Sequence, residues 1–170
     1  MKTPITLLLV LLTLAAAQVV YYAPRLPEQL ASHFGTHGEP NGWQSLTTFL
    51  QFYAAILGVM LVVFLVMPRG LHRLPDACFN LPHKDVWLSD PHKEQTLHDL
   101  QQRIAYGGVI TLAFLVALFQ LVFDLNLSSQ PRLPAKPFWA LMIAYLALLF
   151  AWSFLFWRAY RKPTAPHTTA

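Results

Sequence analysis

Four long apolar runs constrain this chain more than any other feature of its sequence. They cover residues 5–23, 46–67, 104–125 and 138–157. Each has roughly the 20 residues that a helix needs to cross a hydrocarbon core, and none has an acidic residue, Lys, Arg or His in its middle. The sequence therefore predicts an all-α, polytopic membrane protein, a four-transmembrane-helix bundle whose first partner is the lipid bilayer.

The first run also has features of a cleavable signal peptide. Met1-Lys2 precedes it, and Ala15-Ala16-Ala17 offers small residues of the kind found at cleavage sites. Apolar residues continue beyond these alanines through Val19-Val20-Tyr21-Tyr22, which gives the run full spanning length and an aromatic edge. This continuation favours a retained membrane helix over a signal peptide.

The basic residues are distributed unevenly between the two sides of such a bundle. Nine of the 12 Lys and Arg lie before the first run, between the second and third runs, or after the fourth. Arg25, Arg132 and Lys136 lie on the other side. The positive-inside rule therefore predicts a multi-pass membrane protein with both termini and the long middle loop in the cytoplasm. Anionic lipid at that face explains the net charge of +4, so no nucleic-acid partner is expected.

The segment 26–45, between the first two runs, has too many turn formers for a helix and too specific a mixture for a flexible linker. It holds two Pro and three Gly, together with two His and a Trp. We interpret it as a folded hairpin that caps the helices on the outer side. Pro40-Asn41-Gly42 is predicted to be its turn, because Asn and Gly accept left-handed backbone angles. Trp43 then returns to the membrane interface, and His33-Phe34 covers the turn.

Eight residues of this loop form a recognisable pattern: Pro27, His33, Phe34, Gly38, Pro40, Asn41, Gly42 and Trp43. A second pattern follows within residues 80–88, at Asn80, Pro82, Lys84, Asp85, Trp87 and Leu88. Both resemble the signature of the domain-of-unknown-function family 1648 (DUF1648), which also forms the N-terminal part of Sdp-type toxin-immunity membrane proteins. The resemblance implies a protein of the bacterial cytoplasmic (inner) membrane that acts by recognition through its outward loop.

The predicted domain organisation follows the apolar runs. Residues 1–67 form a first transmembrane hairpin and residues 104–158 a second one. Residues 68–103 form a cytoplasmic loop, and residues 159–170 form a polar tail that we expect to be disordered.

The loop 68–103 is predicted to contain structure of its own. Pro68 and Gly70 are expected to end the second helix. A polar pair before Pro91 is a helix-start signal, with Pro at the first helical position. Apolar residues then recur at helical spacing up to the third run, so we expect an amphipathic helix that continues into the membrane.

Helices in lipid associate through small residues and interhelical hydrogen bonds rather than through burial of apolar surface. The fourth run carries one stripe of alanines: Ala140, Ala144, Ala147 and Ala151. We predict that this stripe lies at a helix–helix contact, inside the bundle or between copies of the chain. Gln18, Gln51 and Gln120 are candidates for hydrogen bonds between helices, and Gly107-Gly108 for close packing.

The residue content argues against several chemistries. A single cysteine, Cys78, leaves no pair for disulfide chemistry, and all seven His lie outside the runs, where they cannot hold a haem between helices. No run has an ionisable group in its middle of the kind that a proton-coupled exporter needs, and Asp124 stands at the end of the third run. We therefore expect no cofactor and no enzymatic activity.

His33, His37 and Glu39 are the candidate ligands for a metal ion. Two His four positions apart share one face of a helix and can bind Zn²⁺ together. The Gly and Pro residues around them oppose a helix, and a structural zinc site needs four ligands. We expect His33 to pack within the loop and hydrogen-bond a carbonyl instead, with no metal bound.

Three functions are compatible with these features. The first is a non-enzymatic inner-membrane protein of the recognition, immunity or signalling type, whose outward loop binds another membrane protein or a peptide toxin. The second is a structural subunit or scaffold, which contacts a membrane partner or a second copy of itself. The third is a metal-dependent membrane enzyme or small transporter. An ordered outer loop would favour the first and an exposed small-residue face the second, whereas the third requires bound metal.

Overall fold

A computed structural model describes residues 2–161, and within this range four helices are long and apolar enough to cross a membrane. The predicted four-helix membrane architecture is therefore confirmed. In chain order the elements are α1 (Lys2–Tyr22), β1 (Gln29–Phe34), β2 (Pro40–Ser45), α2 (Leu46–Leu61), a π-helical turn (Val62–Val66), a 3-10 helix (Met67–Arg73), a 3-10 turn (Asp76–Cys78), α3 (Lys84–Trp87), α4 (Lys93–Asn126) and α5 (Ala135–Tyr160). The predicted tail 159–170 begins inside α5 and lies outside the described residues from 162 onward.

The bundle is organised around α4, against which α1, α5 and the helical segments that follow α2 all pack. Its two ends differ. At the hairpin end, the turn between β1 and β2 meets the connection between α4 and α5. At the loop end, residues 67–92 lie beside the start of α4 and the end of α5.

The hairpin expected within residues 26–45 is present as a two-stranded antiparallel sheet, a small β element in an otherwise helical fold. The predicted turn at Pro40-Asn41-Gly42 is wrong, because these residues belong to β2. The chain reverses at Gly35 to Gly38, where the Gly38 N–H donates to the Gly35 carbonyl (3.0 Å). Gly38 adopts a φ of 81°, which a residue with a side chain rarely tolerates.

The second membrane helix continues beyond Pro68, so the predicted stop at that residue is wrong. Ser45 caps its start by accepting a hydrogen bond from the Thr48 N–H (3.2 Å). The α-helical part, α2, ends at Leu61, seven residues before Pro68. The helical path continues as a π turn and then a 3-10 helix, and the apolar span extends from Leu46 to Arg73.

The predicted continuous helix through the third apolar run is confirmed, since α4 extends unbroken for 34 residues. It begins at Lys93 rather than at Pro91. The Ser89 carbonyl accepts hydrogen bonds from the N–H groups of His92 and Lys93, each 2.9 Å long. Pro91 lies inside the turn that these bonds close, where its missing N–H costs nothing.

Two adjacent glycines allow α4 to touch two neighbours at once. A Cβ atom added at Gly107 would lie 2.9 Å from the Trp152 ring of α5. One added at Gly108 would lie 2.5 Å from the Cβ of Phe64 in the π turn. Trp152 also donates its indole N–H to the Arg103 carbonyl (3.0 Å). The packing role expected for Gly107-Gly108 is confirmed, because small residues permit this close approach.

A polar cluster joins α1, α2 and α4 near the hairpin end. Gln18 donates to the Gln120 side-chain oxygen (2.9 Å) and accepts a hydrogen bond from the Tyr53 hydroxyl (2.9 Å). Tyr53 is fully buried, and its ring stacks on Phe119 with centroids 3.9 Å apart. The predicted bonding of Gln18 and Gln120 is confirmed, and each such bond contributes about 0.6 kcal/mol. Gln51 is exposed instead.

The alanine stripe of α5 is exposed along its whole length, at Ala140, Ala144, Ala147 and Ala151. The face that α5 presents to α4 is aromatic: Tyr145 stacks on Phe114, with ring centroids 4.2 Å apart. Large rings gain more dispersion contact with α4 than methyl groups would. As a contact inside the single chain the predicted stripe is therefore wrong, and contact between copies stays a prediction.

Candidate functional site

The β-hairpin is folded onto the hairpin end by buried apolar residues of its first strand. Leu30 and Ala31 have no exposed surface (0%). Leu30 packs in one cluster with Phe49 of α2 and Phe123 of α4. Burial of this strand against two membrane helices fixes the position of the hairpin, in contrast to a flexible connecting loop.

Asn126, the last residue of α4, attaches the same strand through hydrogen bonds. Its side-chain oxygen accepts from the Ala31 N–H (2.8 Å), and its amide nitrogen donates to the Ala31 carbonyl (3.0 Å). The amide nitrogen also donates to the Val122 carbonyl (2.9 Å) inside α4. Asn126 is only 4% exposed, so these bonds are shielded from water and leave no buried polar atom of the side chain unpaired.

The tip of the hairpin is held by the connection between α4 and α5. The Leu133 N–H donates to the Gly38 carbonyl (2.8 Å), and the Arg132 guanidinium donates twice to the His37 carbonyl (3.1 and 3.2 Å). A Cβ atom added at Gly38 would lie 2.5 Å from the Leu133 carbonyl oxygen. The absence of a side chain at Gly38 therefore allows both the reversal of the chain and the close contact of the hairpin with the α4–α5 connection.

His33 and Gly42 lie opposite each other in the sheet. A Cβ atom added at Gly42 would lie 2.9 Å from the Cβ of His33, which is closer than two such atoms approach. Gly42 is thus needed for close approach and not for the positive φ that we expected. The register shifts on both sides of His33, and such a bulge redirects side chains. The expected packing of His33 and its bond to a carbonyl are wrong, because the residue is exposed and its Nδ1 atom lies 3.1 Å from the Ser32 hydroxyl oxygen.

Trp43 stands on the surface of the hairpin and is 55% exposed. It borders a groove of about 540 Å³, here called the Trp43 groove. The groove is also lined by residues from the α1–β1 connection, β1 and the α4–α5 connection: Arg25, Pro27, Gln29, Ser128 and Ser129. The lining of the Trp43 groove thus combines an indole, a guanidinium and several hydroxyl and amide groups. Trp43 lies in β2, two residues before Ser45, the N-cap of α2. Its expected place at the membrane interface stays a prediction. Among the other pattern residues of the hairpin, Phe34 and Pro40 pair across the strands, and Asn41 is exposed.

The three candidate metal ligands of the hairpin are not brought together. The His37 Nδ1 atom lies 3.2 Å from the Thr36 hydroxyl oxygen, and His33 contacts Ser32 and Gly42. Across residues 2–161, no group of three or more His, Cys, Asp or Glu is placed to hold a metal ion.

The second sequence pattern lies at the opposite end of the bundle from the first. Its Trp87 donates the indole N–H to the Tyr160 carbonyl at the end of α5 (3.2 Å), and its Leu88 packs in the buried cluster of the loop end. The remaining pattern residues are exposed or half-buried, at Asn80, Pro82, Lys84 and Asp85. The two patterns therefore form separate regions and do not build one site.

Several residues that hold these regions were missed by sequence reasoning. Asn126 and Arg132 hold the hairpin, and Asp99 holds the loop end by accepting from Tyr160 (2.5 Å) and Arg103 (2.6 Å). Asn126 follows directly after an apolar run, which is a weak signal because many helices end in a polar residue. Asp99 and Arg103 lie four residues apart on one helix, a spacing that favours an ion pair and could have been noted.

Residues 8–58 match the model of one protein family, described as Domain of unknown function (DUF1648). The matched segment contains most of α1, the whole hairpin and the greater part of α2. The resemblance seen in the loop pattern is thereby confirmed for this part of the chain. No curated protein and no solved structure matches the chain.

Proposed function

We propose that this chain is a non-enzymatic recognition protein of the bacterial cytoplasmic membrane, of the immunity or signalling type. Its binding face is the hairpin end, which lies outside the cell with the Trp43 groove open to the periplasm or medium. The ligand is a peptide, such as a peptide toxin, or the exposed part of another membrane protein.

The observation that carries this proposal is the preorganisation of the hairpin. Its strand is buried against two helices, its edge is bonded to Asn126, and its tip is bonded to Arg132 and Leu133. A surface that is already ordered loses little conformational entropy when it binds. Such ordering has no purpose in a simple connection between two membrane helices.

The chemistry of the Trp43 groove is that of a protein-binding surface. Aromatic residues and Arg are enriched where binding energy concentrates in interfaces, and Trp43 and Arg25 lie in one groove. Trp43 is 55% exposed, whereas its neighbours in the strand, Gly42 and Gln44, are half-buried. An exposed indole beside a cation can both bury area and accept a polar partner.

Photo-crosslinking in intact cells tests this proposal. A benzoyl-phenylalanine placed at Trp43 should give a discrete protein or peptide adduct. The same group at Trp139, which is 58% exposed in the first turns of α5 at the same end of the bundle, is the control. The adduct should disappear when Asn126→Leu loosens the hairpin. Identical adduct patterns from the two positions, or an adduct that survives the loss of Asn126, would contradict a specific binding face.

A scaffold role is the second candidate, and one observation favours it. α5 packs mainly on α4, and its alanine stripe faces away from the single chain. Small residues on an exposed membrane helix allow close approach of another helix. Cysteine crosslinking at Ala144 would reveal such a contact as a dimer or a mixed product, and absence of any product would remove this role.

A further inference from the structure

A second groove lies under the hairpin, between α2 and α4, and here it is called the helix groove. It has a volume of about 470 Å³, within the range of sites that bind small molecules. Its long walls are apolar, with Phe52 and Ile56 from α2 facing Leu115 and Leu118 from α4. These residues belong to the two membrane spans, so the groove opens toward lipid rather than toward water.

The end of the helix groove nearest the hairpin is polar. It is lined there by Ser32 and His33 of β1 and by Gln44 of β2. Gln44 lies two residues before Leu46, the first residue of the second span. The change from apolar to polar lining therefore falls where the hydrocarbon core gives way to lipid headgroups.

The polar end is built by the hairpin itself. The bulge at His33 places two consecutive residues, Ser32 and His33, at the groove. Gly42 has no side chain, so His33 can lie directly across it. Because the Ser32 hydroxyl engages Nδ1, the Nε2 atom of His33 is the ring nitrogen left for a ligand.

The lining has a definite charge preference. None of its ten residues is acidic, and His33 is the one that can carry a positive charge. Ser32 and Gln44 add neutral hydrogen-bond donors. A phosphate group accepts such bonds and attracts an imidazolium, whereas a cationic group would find no partner.

We propose that the helix groove binds an anionic phospholipid of the leaflet at the hairpin end. One acyl chain lies between α2 and α4, from Phe52 toward Ile56 and Leu115. The phosphate lies at His33, Ser32 and Gln44. This site is separate from the Trp43 groove, and the proposal does not depend on the function proposed above.

Native mass spectrometry tests the proposal on the full chain. The protein is reconstituted in vesicles of equal parts phosphatidylglycerol and phosphatidylcholine, extracted into mild detergent and weighed with its retained lipid. The wild-type chain should retain phosphatidylglycerol about tenfold over phosphatidylcholine. Both lipids offer a phosphate, but only phosphatidylcholine adds a cationic choline, for which the lining has no acidic partner. Equal retention of the two lipids, or retention of a peptide in place of lipid, would overturn the proposal.

Three variants locate the lipid. Ile56→Trp on one wall should fill the groove and abolish retention of both lipids. Leu115→Trp on the opposite wall should do the same, so the test still works if one of the two variants misfolds. His33→Gln should remove the preference for phosphatidylglycerol while the chain still retains lipid. Ile143→Trp, at a 63% exposed position on α5, is the matched control and should behave as wild type. Unchanged phosphatidylglycerol in both groove-filling variants would show that the lipid binds elsewhere and overturn the proposal.

Discussion

The side chain of Asn126 binds both backbone polar groups of a single residue, Ala31. It accepts from the Ala31 N–H at 2.8 Å and donates to the Ala31 carbonyl at 3.0 Å. These are the two bonds that another β-strand would make at the free edge of β1. Asn126 thus acts as a one-residue strand that ends the sheet and joins it to the central helix of the membrane bundle. An edge closed in this way does not pair with a strand from another chain.

The first prediction concerns this pair. Asn126→Leu keeps a side chain of similar size but leaves the N–H and carbonyl of Ala31 buried without partners, at a cost of about 1–3 kcal/mol for each group. The thermal unfolding midpoint in detergent should fall, and the Ala31 amide should exchange its hydrogen faster. Asn80→Ala, at an exposed asparagine of the loop end, serves as the control. Slow exchange at Ala31 in the Asn126 variant would contradict the arrangement.

The second prediction distinguishes two reasons why a position requires glycine: close approach of a neighbouring side chain at Gly42 and a positive φ at Gly38. Gly42→Ala should loosen the hairpin because its methyl group meets the Cβ of His33, a form of overpacking that typically costs about 1–3 kcal/mol. His33→Gly removes that Cβ and should restore stability to the Gly42→Ala chain. Gly38→Ala should not be rescued by the same change, since its cost arises from a φ of 81° and a neighbouring carbonyl. Double-mutant cycles from thermal unfolding measure the difference.

The third prediction concerns helix packing. Gly108→Ala places a methyl group 2.5 Å from the Cβ of Phe64, so the π turn must move and the unfolding midpoint should fall. Gly58→Ala is the control, because nothing lies within 4 Å of a Cβ atom at that position of α2. The control should be neutral or slightly stabilising, since Ala favours a helix by about 1 kcal/mol over Gly. Equal effects of the two substitutions would argue against the close contact of α4 with the π turn.

The fourth prediction reverses an expectation from the sequence. Because Ala147 is exposed on α5, Ala147→Leu should leave the stability of the single chain unchanged and match Leu148→Ile, at a neighbouring exposed position. If copies of the chain associate through the stripe, Ala147→Leu should instead weaken their association, which sedimentation in detergent detects. A lower midpoint for monomeric Ala147→Leu alone would place the stripe inside the bundle after all.

The fifth prediction concerns orientation. The excess of Lys and Arg around the loop end should keep that end in the cytoplasm. A cysteine introduced at Glu39, an exposed residue beside the hairpin turn, should then react with a membrane-impermeant reagent in intact cells. The native Cys78, exposed at the loop end, should react only after the membrane is opened. Labelling of Cys78 with Glu39→Cys silent would invert the orientation.

The sequence was most informative where physical demands are repeated along the chain. A span needs about 20 consecutive residues that are predominantly apolar, so the four spans could be predicted from the sequence. The adjacent pair Gly107-Gly108 was also informative, because two glycines inside a membrane helix have few uses other than close packing. The hairpin was predicted from its density of turn formers, but Gly38 and Gly42 are equally suited to a turn, and the chain reverses at the first.

Single long-range contacts could not be predicted from the sequence. Asn126 binds a residue 95 positions away, and nothing in its neighbourhood distinguishes it from an ordinary helix end. The exposed alanine stripe is the opposite case, in which the sequence predicted a contact that the single chain does not make. Its spacing is that of a packing face, but the aromatic residues Tyr145 and Trp152 on another face of α5 make the contact with α4.

The length of α4 has a mechanical consequence. At 1.5 Å per residue, its 34 residues form a rod of about 50 Å, longer than a bilayer with its headgroups. One end of α4 is hydrogen-bonded to the sheet through Asn126. Near the other end, Asp99 accepts a hydrogen bond from Tyr160 at the end of α5. Because α4 is unbroken between these two contacts, we expect any tilt of the hairpin to displace the loop that carries Trp87 at the opposite end of the bundle.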